Sequence, residues 1–190
     1  MIRATLCSRN AHKARELEQL LSGWTIEPLL VDDYPEETGT TYYENALLKA
    51  GFGQSRAGGW TLGEDSGIEV VALGGGPGLH SARYAPEGAP AIAKLLGELA
   101  GVTDRRARYV SELVAISPDH EVLGGTGILE GTIADGPRGS GGFGYDPIFI
   151  PEGEHLTVAQ LGDSWKNEQS HRARSARALR EALERRLGGA

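Results

Sequence analysis

Carboxylates cluster at two places in this sequence, and both could serve a metal ion. Asp32, Asp33, Glu36 and Glu37 crowd one stretch, and Glu64-Asp65 form a second pair. Hard divalent cations want several carboxylate oxygens, and Mg2+ held together with phosphates takes one or two from the protein. Such an ion would also relieve repulsion among the acids. The bland alternatives are an acidic surface loop and, for Asp65-Ser66-Gly67, an ordinary turn.

The cations carry a matching signal. In Ser8-Arg9-Asn10-Ala11-His12-Lys13, a strand meets a helix start, where free N–H groups and the helix dipole favour an anion. Lys13 opposes that dipole, which a bound phosphate would explain as well as solvation would. Lys49 lies four residues after Asn45 and shares its helix face. It could point inward or into water. Glu44 has a simpler use, because Thr41-Tyr42-Tyr43-Glu44 spells a capping box.

A third signal is the run over residues 139–149. Residues 139–144 hold four glycines in six residues, Phe143, Tyr145 and Asp146 lie among and just after them, and Pro147 stiffens the exit. Such a loop can press bare N–H groups against a flat ligand while a ring covers its face. Gly139, Gly141 and Gly144 formally read G-x-G-x-x-G, but an extended run follows where a dinucleotide fold needs a helix. No P-loop sequence occurs. Lys166, His171 and Arg172 supply donors near the start of the final predicted helix. Arg174 and Arg177 read instead as a solvated face balanced by Glu181 and Glu184. Cys7 and the histidines lack zinc-ligand spacing, and no Ser/His/Asp triad can be assembled.

The elements that must position these groups alternate. Strands are predicted over 3–8, 25–31, 60–63, 68–73, 108–117, 121–133 and 148–150. Helices are predicted after residue 10, over 41–57, over 90–99 and over 169–187. A hairpin is expected across Pro118-Asp119-His120. Helix–strand alternation followed by a hairpin predicts an α/β fold with a mixed sheet. At 190 residues the chain is one domain, or two lobes of one. A net charge of −7 disfavours a polynucleotide partner but not a small anion in a positive pocket. A single cysteine excludes an intrachain disulfide and suits the cytoplasm. No apolar run approaches the roughly 20 residues a membrane helix needs.

Six segments in order resemble one family, the inosine or xanthosine triphosphate pyrophosphatases. They are Ser8-x-Asn10-x-x-Lys13; Glu37-Thr38-Gly39-x-Thr41-x-x-Glu44-Asn45-Ala46-x-x-Lys49-Ala50; the run from Asp65-Ser66-Gly67 to Pro77-Gly78; Ser81-Ala82-Arg83-Tyr84; Gly142-Phe143-Gly144-Tyr145-Asp146-Pro147-Ile148-Phe149; and Ser170-His171-Arg172. The resemblance implies two lobes around a central cleft and a Mg2+-dependent homodimer. It implies hydrolysis of ITP, dITP and XTP at the α–β bond to the monophosphate and pyrophosphate, clearing damaged nucleotides. By position, Ser8 to Lys13 would hold the triphosphate, with Arg9, Asn10, Ala11 and His12 between them. Asp65 would be the catalytic carboxylate and a metal ligand, helped by Glu36 or Glu37. Ser66 would touch the substrate, with Lys49 beside it, and Phe143 to Asp146 would form the base and sugar pocket. Lys166, His171 and Arg172 would read the 6-keto oxygen. Two departures stand out. Glu64 replaces an aspartate found in many members, and Arg174-Ser175 alters the usual small and apolar spacing. They keep open a catalytically impaired nucleotide sensor, besides a pyrophosphatase for another modified nucleotide.

Overall fold

A computed structural model describes residues 1–8 and 10–188, without the side chains of Ala11 and Leu187. The chain is α/β. Its sheet has six strands in the order β2-β1-β3-β4-β5-β6. These are β1 (Ile2–Leu6), β2 (Trp24–Pro28), β3 (Trp60–Val70), β4 (Arg106–Ile116), β5 (Val122–Ile133) and β6 (Phe149–Pro151). β1 pairs in parallel with β2 and β3, while β5 and β6 are antiparallel, so the sheet is mixed as expected. The helices are α1 (Ala11–Leu20), α2 (Tyr42–Ala57), α3 (Ala89–Glu98), α4 (Val158–Gln169) and α5 (His171–Gly188).

Two compact units make up the chain. One contains Met1–Asp65, Ser111–Gly127 and His171–Ala190, the other Ser66–Val110 and Ile128–Ser170. Each has its own core. In the first, Leu17 of α1, Leu21 at its C-terminal cap and Leu179 of α5 are buried with Leu6, Leu62 and Leu113 of the strands. In the second, Leu95 of α3 is buried with Ile68, Leu129, Ile148 and Phe149. Fully burying one such side chain contributes about 1.5–3 kcal/mol.

Four sequence expectations need correction. Glu64-Asp65-Ser66-Gly67 is not a turn between two strands but the middle of β3, which runs unbroken for 11 residues. Residues 71–73, read as strand, form a 3-10 turn. α4 was not expected at all, and it changes the place of Lys166. This residue lies in the last turn of α4, a favourable end for a cation, and α5 begins only at His171. β2 ends at Pro28, earlier than the predicted 31. The hairpin expectation holds: β4 and β5 are neighbours, and their turn closes with Ser117 N–H donating to Glu121 O at 2.9 Å.

One glycine sets how closely α2 approaches the sheet. A Cβ on Gly63 would lie 2.0 Å from Ala46 O and 2.5 Å from Ala50 N. Only hydrogen at that position lets the helix backbone rest directly on β3.

Candidate active site

The first unit gathers four carboxylates and three cations. β3 supplies Glu64 and Asp65, both buried although side chains alternate along a strand. α2 supplies Asn45 and Lys49, one turn apart on one face. Its start is fixed by the expected capping box: Thr41 Oγ1 accepts from Glu44 N, and Glu44 Oε2 accepts from Thr41 N, each at 3.1 Å. Glu44 is thereby used as a cap.

Asp65 is gripped from both sides. Lys49 Nζ donates to its Oδ1 at 2.8 Å and Asn45 Nδ2 to its Oδ2 at 3.1 Å. Asn45 Oδ1 accepts from Gly39 N at 2.8 Å, tying the acidic loop to the same helix. That loop sends Glu37 Oε1 to 2.5 Å from Lys49 Nζ, whereas Glu36 is exposed. Lys49 completes its contacts on Glu64 O at 3.2 Å. Tyr34 pins the loop elsewhere, donating to Leu29 O and to Ser8 O.

Glu64 turns to the other cations. Lys13 Nζ lies 2.5 Å from its Oε2. Its Oε1 accepts from Arg172 Nη2 at 3.0 Å, Arg172 Nε at 3.3 Å and Ser111 Oγ at 3.1 Å. Arg172 is only 2% exposed and also pairs with Glu16. Ser175, whose position departs from the usual spacing, joins this network: its hydroxyl is 3.0 Å from Ser111 Oγ and donates to Arg172 O.

These surroundings set the charges. Burial would raise the Glu64 carboxyl, but Arg172 and Lys13 overcome it and hold the group well below the usual carboxylate range. Burial dominates at Asp65, outweighing the pull of Lys49, so its pKa is raised. For Lys49, desolvation works downward while Asp65 and Glu37 hold it above its ordinary value. Two neighbouring carboxylates on β3 are thus driven apart, one a locked anion and the other a poised base. Acid–base assignments are found at such pairs. Burial pushes the Cys7 thiol up to about 11, which leaves it a packing residue.

The donor set suits a divalent ion shared with phosphate. Glu37 Oε1 and Asp65 Oδ1 converge on a single positive atom, Lys49 Nζ. Two carboxylates meeting at one point supply what Mg2+ draws from a protein when phosphates complete its shell. Among the described residues no three acids, histidines or cysteines close a full metal cage.

The phosphate-type segment is built as a helix start. Asn10 caps α1, its Oδ1 accepting from His12 N at 2.9 Å, and Ser8 Oγ accepts from Asn10 N at 3.1 Å. His12 is exposed beside Arg15. Arg9 lies outside the described residues, as does the side chain of Ala11.

The second unit holds a different constellation. Lys166 Nζ bonds Asp146 Oδ2 at 2.9 Å and sits 4.7 Å from the centre of the Phe143 ring. Asp146 Oδ2 also accepts from Phe143 N at 2.9 Å. Gly142 makes this possible: its φ is +70°, and a Cβ there would meet Asp146 Oδ2 at 2.1 Å. Tyr145 is buried and donates to Ser81 O at 3.3 Å, while Gly144 follows Phe143 with φ of +60°. Ser66 lies half-buried on β3. Sequence reasoning did not single out Ser111, Glu16 or Tyr34. Asn45 it placed on the Lys49 face and within a family-like segment, but without a role.

The Ham1 family pattern matches residues 4–182. A Gloeobacter violaceus protein named dITP/XTP pyrophosphatase is 43% identical over 176 residues, spanning 92% of this chain and 90% of its own. Among solved structures, the Staphylococcus aureus Ham1 protein is 37% identical with a TM-score of 0.81 and 98% of each chain covered. A HAM1 protein from Coxiella burnetii is 35% identical, with a TM-score of 0.81 and 100% of both chains covered.

Proposed function

The chain belongs to the Ham1 family, and from that premise we propose that it hydrolyses inosine- and xanthosine-type purine nucleoside triphosphates. Cleavage at the α–β bond yields the monophosphate and pyrophosphate, and its use is to clear damaged nucleotides. The observation that carries this reading is Asp65, a buried carboxylate of raised pKa gripped by Lys49 and Asn45. It is suited to accept a proton from an attacking water.

In this reading Lys13 and Lys49 offset the charge of the triphosphate, which otherwise repels a nucleophile. The α1 start at Ser8, Asn10 and His12 receives phosphate oxygens. Glu37 and Asp65 hold the metal, taken as Mg2+, which supplies Lewis-acid polarisation of the phosphate when bound. Phe143 covers the base, and Tyr145 and Asp146 shape its surroundings. Lys166, with His171 and Arg172 at the start of α5, donates to the 6-keto oxygen. Arg172 is held by Glu64 and Glu16, so contacting a base requires it to leave one of them. Adenine would present an amino group to these donors, and each buried donor left unpaired costs about 1–3 kcal/mol. The family resemblance also supports a homodimer, and the single cysteine fits a reducing cytoplasm. No helix of the described residues is long and apolar enough to cross a membrane.

The decisive experiment incubates the protein with ITP, dITP, XTP, GTP, ATP and dUTP in the presence of Mg2+ and follows pyrophosphate directly. Pyrophosphate from ITP, dITP and XTP in preference to ATP is expected. Orthophosphate as first product, or no turnover, would overturn the assignment. Of the departures in the sequence, Glu64 and Ser175 join one buried network with Arg172 and Ser111, so neither disrupts the site. The sensor reading is separated from the enzyme by turnover itself in this assay.

A further inference from the structure

We infer that Lys49 is an internal counter-ion that stands in for the divalent metal until a triphosphate arrives. The free enzyme then holds the metal weakly and takes it up together with its nucleotide. This rests on the reading that Glu37 and Asp65 are the metal's carboxylates.

The geometry carries the argument. An ammonium has three hydrogens, and Lys49 has three oxygens around its Nζ: Glu37 Oε1 at 2.5 Å, Asp65 Oδ1 at 2.8 Å and Glu64 O at 3.2 Å. The position toward which both carboxylates turn is therefore already filled by positive charge. The side chain is only 12% exposed and rises from a helix fixed by its capping box and by the close contact at Gly63. It is built in and does not drift in from solvent.

Charge balance points the same way. Glu16, Glu37, Glu64 and Asp65 face Lys13, Lys49 and Arg172 in linked ion pairs. At the point where Glu37 and Asp65 meet, Lys49 already offsets one of their two charges, which weakens their pull on a divalent ion. A triphosphate changes this. It adds several negative charges, and the flexible stem of Lys49 lets its ammonium move to a phosphate oxygen, which exposes Glu37 and Asp65. Metal and substrate binding are then coupled through one side chain.

Mn2+ binding to the nucleotide-free full chain, read by electron paramagnetic resonance, tests this. Lys49→Met should bind Mn2+ about tenfold tighter or more, since a like charge beside the ion is removed, while Lys49→Arg should stay near the wild type. Unchanged or weaker binding in Lys49→Met overturns the proposal. A second measurement needs no variant. The melting temperature of the wild type should rise with Mg2+ plus α,β-imido-ITP but barely with Mg2+ alone, and an equal rise with Mg2+ alone also overturns it. The underlying reading is tested separately. With α,β-imido-ITP present, Glu37→Gln and Asp65→Asn should each weaken Mn2+ binding. If neither does, the metal assignment itself fails, whatever Lys49 does.

Discussion

The two units hold charge in opposite ways. In the first, Glu64 serves two cations and a hydroxyl, and Lys49 serves two carboxylates and a carbonyl, so each group's state is set by several neighbours. In the second, the buried pair of Lys166 and Asp146, with Tyr109 and the Phe143 N–H also bonding Asp146, lies beside a half-exposed ring. A network with several cations and carboxylates can move charge as a reaction proceeds. An ion pair anchored beside a ring presents a flat surface. The first arrangement suits bond breaking, and the second suits recognition.

Substitutions can break this contrast, and they fall in order of expected size. Asp65→Asn should cut kcat by about 10²–10⁴-fold, the range for a general base, and leave the melting temperature nearly unchanged. Glu64→Gln should unfold the protein more easily, by about 3–5 kcal/mol in urea titration, because Arg172 and Lys13 lose a shared buried anion. Gly63→Ala forces α2 away from β3 and should cost about 1–3 kcal/mol of stability, with kcat falling as Lys49 and Asn45 withdraw from Asp65. Phe143→Ala should raise KM for ITP about tenfold, the scale of one lost base-stacking contact, with kcat and stability close to the wild type. If Phe143→Ala instead lowered kcat alone, the division of labour between the units would be wrong.

The pH response sharpens the same comparison within β3. Glu64 has a depressed pKa, so its pairing stabilises the fold above the ordinary value of 4.5 and is lost as pH falls further. Asp65 works in the opposite sense. Its raised pKa penalises the ionised form at neutral pH, and protonation lifts the penalty. Glu64 is the more deeply buried and has two cations, so the unfolding free energy should decline below pH 4.5. Activity needs ionised Asp65, so the acid limb of kcat/KM should fall above the ordinary value of 3.8.

Local chemistry was legible in the sequence. Thr41 and Glu44 announced their capping box, and residues 118–120 their hairpin turn. β3 was misread because Gly63, Asp65, Ser66 and Gly67 have turn composition, while the strand is fixed by burial along nearly its whole length. α4 escaped notice because Gly162 interrupts it with φ of +80° and Asp163 and Ser164 are weak helix formers. The pairing of Arg172 with Glu64 spans 108 residues, a separation no local pattern encodes. Motif order brought these residues to one family, but only the fold brought Arg172 to Glu64.

Gly63 and Gly142 also determine how this protein can change over generations. At each, a single added carbon would collide with an atom the chemistry depends on: the backbone of α2 in one case, the carboxylate of Asp146 in the other. At Gly63 the obstacle is backbone and no rotamer choice relieves it; at Gly142 a φ of +70° disfavours any side chain, and relief would require the Asp146 carboxylate to leave Phe143 N and Lys166, so both positions resist gradual exploration. New base preferences must be reached through side chains such as Phe143 and Lys166, whose neighbours can repack. A library that diversified the whole 139–149 loop would lose most of its members at Gly142 before any altered selectivity could be seen.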